Sequence, residues 1–181
     1  MAEIKAFKGL VYDTEKAGRL DTLVCPPYDI ISSEQREEYT ALNPYNIVRL
    51  ELPAGGDGRY KESGELLNRW LKDGILKTDD KDCLYVYEME FKAYGELKKV
   101  KGFISLVKLE EFSKGIVLPH EETLSKAKTD RFNLMSETFC NFSQIYSLYM
   151  DENGKCYENI SAGSAGNPDM EVNDGEVIHR I

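Results

Sequence analysis

Acidic, basic and hydroxyl side chains are concentrated in residues 119–132, which read PHEETLSKAKTDRF. The spacing of apolar residues after this segment predicts a helix over about residues 130–139, with Thr129 or a neighbour as its N-cap. A helix N-terminus attracts anions, because its free N–H groups and its dipole favour negative charge. The segment therefore predicts a binding site for a phosphorylated small molecule.

The side chains of this segment suit three chemical roles. The cations that can bind phosphate oxygens are Lys126, Lys128 and Arg131. His120 can donate to phosphate or act as an acid or base, and Glu121 can accept a proton from a substrate. Glu121, Glu122 or Asp130 can hold Mg²⁺, which prefers carboxylates together with phosphate oxygens. A solvated, charge-balanced loop before an ordinary helix is the alternative that the same residues leave open.

A second candidate is the Pro-Pro-Tyr-Asp sequence of residues 26–29. Two consecutive prolines fix φ and remove backbone donors, so these residues are expected to form a rigid extended turn. Such a turn can aim Asp29 into a cleft as a general base or metal ligand. A role for Asp29 in capping the helix that follows Ser32 is the alternative, and the residue types alone favour it. We expect the polar residues of both segments to converge on one cleft.

Common signatures of other functions are missing from the sequence. It has no GxxxxGK[ST], GxGxxG or GxSxG motif, and Leu124 stands where a zinc peptidase would have its second motif histidine. The scattered cysteines form no CxxC pair and are expected to be small buried hydrophobic residues: Cys25, Cys83, Cys140 and Cys156.

The net charge and the hydropathy of the chain indicate which partners and which cellular location to expect for the protein. The formal net charge is -9 and the sequence pI is about 4.9, which argues against a nucleic-acid partner. No segment approaches the roughly 18 apolar residues that a membrane span needs. The N-terminus also lacks the apolar core of a signal peptide. We expect a cytoplasmic protein with no membrane contact.

The sequence patterns of helices and strands predict an α+β fold in a single domain over residues 1–181. These helices and strands must position the candidate site residues. Ser32 and Gln35 form a capping-box pattern that predicts a helix to Leu42, and a second helix is predicted over residues 60–72, ending at Gly74. Strands are predicted at residues 4–11, 47–52, 83–91, 100–109, 144–150 and 177–181, and residues 161–174 read as a loop. Residues 83–91 and 100–109 should pair as a β-hairpin, giving a mixed or antiparallel sheet with flanking helices.

The ordered segments CPPYDIIS, LNPYNIVRLELP, YVYEMEF, PHEETLSKAKTDRFNLM and FSQIYSLYMD resemble the family catalogued as domain of unknown function 1015. The resemblance runs from Phe7 to His179 and implies that the chain is the N-terminal half of a longer protein. It further implies distant similarity to the ParB/sulfiredoxin-like superfamily, which includes free-serine kinases. By that analogy the phosphate site would be lined by His120, Thr123, Lys128 and Arg131.

The resemblance implies a nucleotide-dependent phosphotransferase acting on a small hydroxylated metabolite such as free serine, with ATP or ADP and Mg²⁺. A non-catalytic module that binds a nucleotide or phosphorylated metabolite is the first alternative, and a ParB-like DNA-binding protein is the second. If a second half is missing, the last strand would lack neighbours. Apolar surface around Ile178 and Ile181 would then favour self-association.

Overall fold

The computed structural model describes residues 2–121 and 124–181. The helices are α1 (Thr14–Ala17), α2 (Ser33–Leu42), α3 (Val48–Glu51), α4 (Arg59–Asp73), α5 (Ser125–Thr138) and α6 (Lys155–Gly163), with 3₁₀ turns at Leu20–Thr22, Tyr28–Ile30 and Phe112–Lys114. The strands are β1 (Ile4–Lys5), β2 (Leu10–Tyr12), β3 (Leu76–Thr78), β4 (Tyr85–Ala93), β5 (Glu96–Ile104), β6 (Leu106–Val107), β7 (Glu171–Asn173) and β8 (Val177–Arg180). The named strands pair antiparallel, so the predicted α+β class is confirmed. Within the described ranges, every helix is too short or too polar to cross a membrane.

The chain divides into two compact units. The sheet unit comprises Met1–Gly9, Asp79–Glu110 and Ile145–Ile181, and the helical unit comprises Leu10–Thr78 and Glu111–Gln144. The single domain expected over residues 1–181 stays a prediction. The candidate site residues that the structure describes fall within the helical unit, so the site is described within that unit alone.

The sheet unit is organised around the predicted hairpin. Strand β4 pairs with β5 through Ala93 opposite Glu96, and Tyr94 and Gly95 form the turn with φ of 54° and 79°. Two successive residues at positive φ match the twist of the adjoining strands, which is why such turns close hairpins. The strand order of the larger sheet is β5-β4-β8-β7. The hairpin prediction is confirmed.

The end of the chain differs from expectation. Strand β8 lies between β4 and β7, so the prediction of a final strand without neighbours is wrong. The reason is a tight turn, in which Asp174 accepts from the backbone N–H groups of Glu176 and Val177 and returns the chain so that β7 pairs with β8. Residues 144–150 form no strand, and residues 161–174 contain the end of α6 and all of β7. Self-association stays a prediction, without an unpaired β8 as its basis.

The helical unit is built on α4, which buries Leu67 and Trp70 against Leu23, Leu50 and Ile75. Gly74 ends the helix at φ 70°, the left-handed conformation that glycine adopts without strain. The capping box of α2 is also present, because Ser32 Oγ accepts from Gln35 N at 3.2 Å and Gln35 Oε1 accepts from Ser32 N at 2.9 Å. Both helix predictions are confirmed.

Residues 47–52, predicted as a strand, instead contain helix α3. The side chain of Asn46 is fully buried and donates to the carbonyl oxygens of Thr22 and Val24, at 2.9 Å each. Its Oδ1 accepts from Val48 N at 3.0 Å. This local bond favours a turn over an extended backbone, as asparagine side chains commonly do. Tertiary contacts therefore override the β-branched character of the segment.

Helix α5 begins at Ser125, five residues before the predicted start. Its N-cap is Leu124, which makes no side-chain capping bond. The predicted N-cap, Thr129, is wrong: its Oγ1 donates to the carbonyl of Ser125 at 3.0 Å, as in a helix interior. Lys, Ala and Arg are good helix formers, and no proline or glycine interrupts the segment. The start at Ser125 places Arg131 in the second turn.

Helices α4 and α5 approach each other closely at Gly64. A Cβ atom added to this buried glycine would lie 2.7 Å from the carbonyl oxygen of Glu137. Real Cβ atoms essentially never come so close to a backbone oxygen, so only glycine fits here. The close packing of α4 against α5 therefore requires glycine at position 64.

Candidate functional site

The Pro-Pro-Tyr-Asp turn meets α5 through a ring contact. Pro27 precedes the 3₁₀ turn Tyr28–Ile30, and Arg131 Cζ lies 3.8 Å from the centroid of the Tyr28 ring. A guanidinium over an aromatic face is held by the ring quadrupole and by stacking. Tyr28 and Arg131 are both half-buried. The turn therefore fixes the direction of a cation in the second turn of α5.

Asp130 organises the cations around this contact. Its Oδ1 accepts from Tyr60 Oη at 2.7 Å and from Arg59 Nη2 at 3.1 Å, and its Oδ2 accepts from Arg131 Nε at 3.0 Å and Nη2 at 2.5 Å. Burial raises the pKa of Asp130, but the bonds from Arg131, Tyr60 and Arg59 outweigh it, and the pKa lies below its ordinary value. Asp130 therefore stays ionised and ties the start of α4 to α5.

Glu51 is a buried carboxylic acid beside the same arginine. The residue is 5% exposed, and Ser143 Oγ donates to its Oε1. Burial raises the pKa of Glu51; Arg131 opposes that rise, and the negative charge of Asp29 adds to it. A carboxyl group whose pKa is raised by burial next to a defined charge is typical of functional sites. The buried carboxyl group of Glu51 therefore lies within electrostatic reach of both Arg131 and Asp29.

The sequence analysis missed Glu51, Arg59 and Tyr60. As a strand, residues 47–52 would place Glu51 on the opposite face from Val48 and Leu50, and a solvated position was implied. Helix α3 instead buries Glu51 together with Val48 and Leu50. The available signal was a single carboxylate within an otherwise largely apolar segment, since an isolated buried charge is rare without a partner.

Cys25 lies beside the buried acid. Burial, reinforced by the charge of Glu51, raises the pKa of the Cys25 thiol to about 12. A thiol with such a pKa remains protonated at neutral pH, and the thiolate is the nucleophilic form. The raised pKa of the Cys25 thiol therefore disfavours the nucleophilic form.

The other predicted residues lie at the surface. His120 and Glu121 are exposed, outside helices and strands, and no hydrogen bond or ion pair joins them to described residues of the Asp130 network. Lys126 and Lys128 are exposed in the first turn of α5, and Asp29 is exposed in its 3₁₀ turn. Thr123 and Glu122 lie outside the described residues. The structure brings Arg131 to the Pro-Pro-Tyr-Asp turn, and convergence of His120 on it stays a prediction.

A depression of about 380 Å³ borders the Asp130 network. It is lined by Asp57, Tyr60, Lys61, Asn133, Ser136 and Glu137. Tyr60 belongs to both the depression and the network, so a ligand in this space would touch the hydroxyl that Asp130 holds. Hydroxyl, amide, ammonium and carboxylate groups suit a small polar ligand.

The described residues contain no group of three or more His, Cys, Asp or Glu side chains placed to hold a metal ion. Asp130, one of the predicted Mg²⁺ ligands, is fully engaged by three donor residues. The side chains of the described residues therefore do not fit a metal held by protein ligands alone.

Residues 4–181 match the family described as "Protein of unknown function (DUF1015)", and the chain belongs to that family. The match spans nearly the whole chain and confirms the family expected from the ordered sequence segments. No curated protein and no solved structure matches the chain.

Proposed function

We propose that the helical unit is a phosphotransferase site that moves a phosphoryl group from ATP or ADP to a hydroxyl of a small metabolite such as free serine. The observation that carries the proposal is the position of Glu51, a buried acid of raised pKa, next to Arg131. A general base works best when its pKa lies near the working pH, and burial moves a carboxyl group in that direction. The ParB/sulfiredoxin-like fold and the kinase class belong to the same proposal.

In this proposal each side chain has one task. The ionised carboxyl of Glu51 or Asp29 accepts the proton of the substrate hydroxyl as the hydroxyl oxygen bonds to phosphorus. The bond between that phosphorus and the bridging oxygen of the nucleotide breaks, and the nucleotide leaves with one phosphate fewer. Arg131, oriented by Tyr28 and Asp130, stabilises negative charge on the transferring group.

Mg²⁺ enters this proposal only with the nucleotide. The ion neutralises phosphate charge and prefers phosphate oxygens plus one or two carboxylates. Asp29 is exposed, whereas Asp130 is already engaged, so Asp29 is the carboxylate that would reach a nucleotide-bound ion. No step of the proposed reaction depends on a metal held by the protein itself.

One observation favours a binding module without catalysis. Asp130 pairs with both Arg59 and Arg131 and cancels one of their two positive charges, so the network offers less positive charge to a transferring phosphoryl group than two unpaired arginines would. A ligand that bonds to Tyr60 from the 380 Å³ depression would need no further cation. Under this alternative, the site recognises a phosphorylated metabolite or nucleotide and releases it unchanged.

The experiment begins with a thermal-shift screen of nucleotides and phosphorylated metabolites, because a ligand of the folded state raises Tm by mass action. Compounds that raise Tm are then incubated with free serine and related alcohols, and products are detected by phosphorus NMR. We expect Glu51→Gln to bind the nucleotide and lose turnover, because glutamine keeps the bond from Ser143 and cannot accept the proton. Glu65→Gln, an exposed carboxylate on α4, is the matched control.

The outcomes separate the two functions. Turnover in the parent chain that Glu51→Gln abolishes supports the phosphotransferase. Full turnover in Glu51→Gln contradicts the assigned role of Glu51. Ligand binding without product for any alcohol tested, together with a loss of binding in Arg131→Gln, identifies a non-catalytic module.

A further inference from the structure

Three arginines of the helical unit line one depression away from the Asp130 network. Arg36 lies on α2, Arg49 on α3 and Arg69 on α4. The depression has a volume of about 230 Å³, and its remaining lining residues are Pro53, Ala54, Glu62, Ser63 and Leu66. Three separate helices therefore contribute one cation each to the same space.

These arginines differ from all others in the chain. The four remaining arginines each form an ion pair with a carboxylate: Arg19, Arg59, Arg131 and Arg180. Within residues 2–121 and 124–181, none of the three arginines of the depression forms an ion pair with a carboxylate, although Glu37 acts on Arg36 electrostatically. The chain has 32 acidic against 23 basic residues, so acidic partners are plentiful. Within the described residues, the arginines without an ion pair thus line one depression.

Two of the three guanidinium groups, those of Arg36 and Arg49, are held by backbone carbonyls and not by carboxylates. Arg36 Nε donates to the carbonyl of Leu52 at 2.6 Å, and Arg49 Nη1 donates to the carbonyl of Pro44 at 2.9 Å. A guanidinium has five N–H donors, so most of them remain available on each residue. Burial, and then the positive charge of Arg49, lowers the pKa of Arg36, and the negative charge of Glu37 offsets part of this shift. The fold therefore tolerates like charges together, an arrangement that a bound anion would relieve.

The lining charges indicate which anion fits. Three arginines and Glu62 sum to a net charge of about +2 on the lining, if every group is ionised. A phosphate monoester is close to a dianion at neutral pH, since its second pKa is about 6. The planar guanidinium matches phosphate oxygens with paired N–H bonds. Pro53, Ala54 and Leu66 add an apolar wall that suits a small organic group on the phosphate.

We propose that the depression between Arg36, Arg49 and Arg69 is a second anion site, which binds a phosphate dianion, either free or as the monoester of a small molecule. The site is independent of the proposed phosphotransfer at Glu51, because it shares no side chain with the Asp130 network. It requires neither nucleotide nor turnover.

The test is an NMR titration of the full chain labelled with ¹⁵N, in which each arginine Nε–H correlation is followed separately. Inorganic phosphate and glycerol 2-phosphate are the two probes, and sodium chloride at equal ionic strength is the reference. We expect the signals of Arg36, Arg49 and Arg69 to shift together with one dissociation constant. Tighter binding of glycerol 2-phosphate assigns the site to a monoester, and equal affinity assigns it to the phosphate group alone.

Arg69→Gln should weaken binding by about tenfold or more, the usual effect of losing a hydrogen bond to a charged group. Arg69→Lys keeps the positive charge but loses the planar arrangement of N–H donors. Its affinity for phosphate should therefore lie between that of the parent and that of Arg69→Gln. Arg19→Gln, which removes an exposed and paired arginine, is the matched control and should bind as the parent does. Equal shifts in chloride, or parent-like affinity in a folded Arg69→Gln, overturn the proposal. A loss of binding in Arg131→Gln, with Arg69→Gln unaffected, also overturns it while leaving the proposed function intact.

Discussion

Glu88 in the sheet unit and Glu51 in the helical unit are both largely buried glutamates with an arginine nearby, yet their pKa values shift in opposite directions. Burial raises the pKa of Glu88, but bonds from Lys101, Arg180 and Lys99 outweigh it and the net shift is downward. For Glu51, burial prevails over Arg131, and Asp29 adds to the rise. The number of directly bonded cations therefore decides the outcome, not burial alone.

The neighbours of Glu88 show a structural use of charge. Arg180 Nη1 donates to Glu88 at 2.9 Å and to Glu90 at 3.1 Å, and Lys101 Nζ lies 3.2 Å from Glu88. These side chains extend from strands β4, β5 and β8, so each bond joins neighbouring strands and supports their pairing. Around Glu88, each charge is matched by an opposite charge. In the helical unit, carboxylates meet at Glu51 and arginines meet at Arg36, and such unmatched charge is what a ligand can use.

The largest expected effect is on Asp130, which holds both arginines of the network. Asp130→Ala should lower the free energy of unfolding by about 2 kcal/mol, because two cations and the Tyr60 hydroxyl lose their acceptor in a partly buried place. Urea denaturation followed by circular dichroism measures the change. Asp21→Ala, which breaks the exposed pair with Arg19, should give no measurable loss. Equal losses in the two variants would contradict the importance given to the Asp130 network.

A smaller loss is expected from Glu88→Gln, about 1 kcal/mol at neutral pH, because the amide cannot replace the charge-assisted bonds. The folded-state pKa of Glu88 is lowered, so its contribution is present above the ordinary value of 4.5 and is lost as pH falls through the folded-state pKa. The difference between parent and variant should therefore shrink in acid. Denaturation at pH 7 and near pH 3 checks this, and a constant difference at both values would oppose the structural role.

The smallest expected effect has the opposite sign. The pKa of Glu51 is raised in the folded state, so the stability it contributes is present below the ordinary value of 4.5 and is lost as pH rises through the folded-state pKa. Glu51→Gln removes that loss, and the variant should be slightly more stable than the parent at pH 8 and equal to it at pH 4. The gain stays small because Arg131 already offsets part of the burial cost. If Glu51→Gln were less stable than the parent at pH 8, the proposed difference between Glu51 and Glu88 would be contradicted.

The parts of the fold that follow from local rules could be predicted from the sequence. The capping box at Ser32 and Gln35, the apolar stripe of α4 and the turn at Tyr94 and Gly95 are each specified by residues close together in the chain. Helix α3 could not be predicted, because Asn46 draws its partners from residues about twenty positions earlier. The start of α5 was missed since Thr129 suits both an N-cap and a helix interior.

The candidate site divides in the same way. Arg131 and the rigid turn at Tyr28 were recognisable from residue types alone, since prolines and an arginine after a polar segment are local signals. Their contact was expected only in general terms. Glu51 became visible as a candidate only when the helix was known to bury it, because the same residue in a strand would face solvent. Arg59 and Tyr60 reach Asp130 from another helix, across about seventy residues of chain.

The close approach of α4 and α5 at Gly64 has a consequence for how the molecule tolerates mutation. Any side chain there must push the backbone of Glu137 away, and the first turn of α4, with Arg59 and Tyr60, would then move relative to Asp130. Residue 64 touches none of the network side chains. In a saturation screen scored by ligand binding it should nevertheless be as intolerant as the residues that form the site. Intolerance to mutation at position 64 would therefore reflect the short distance between α4 and α5. It would not reflect a chemical role of the residue itself.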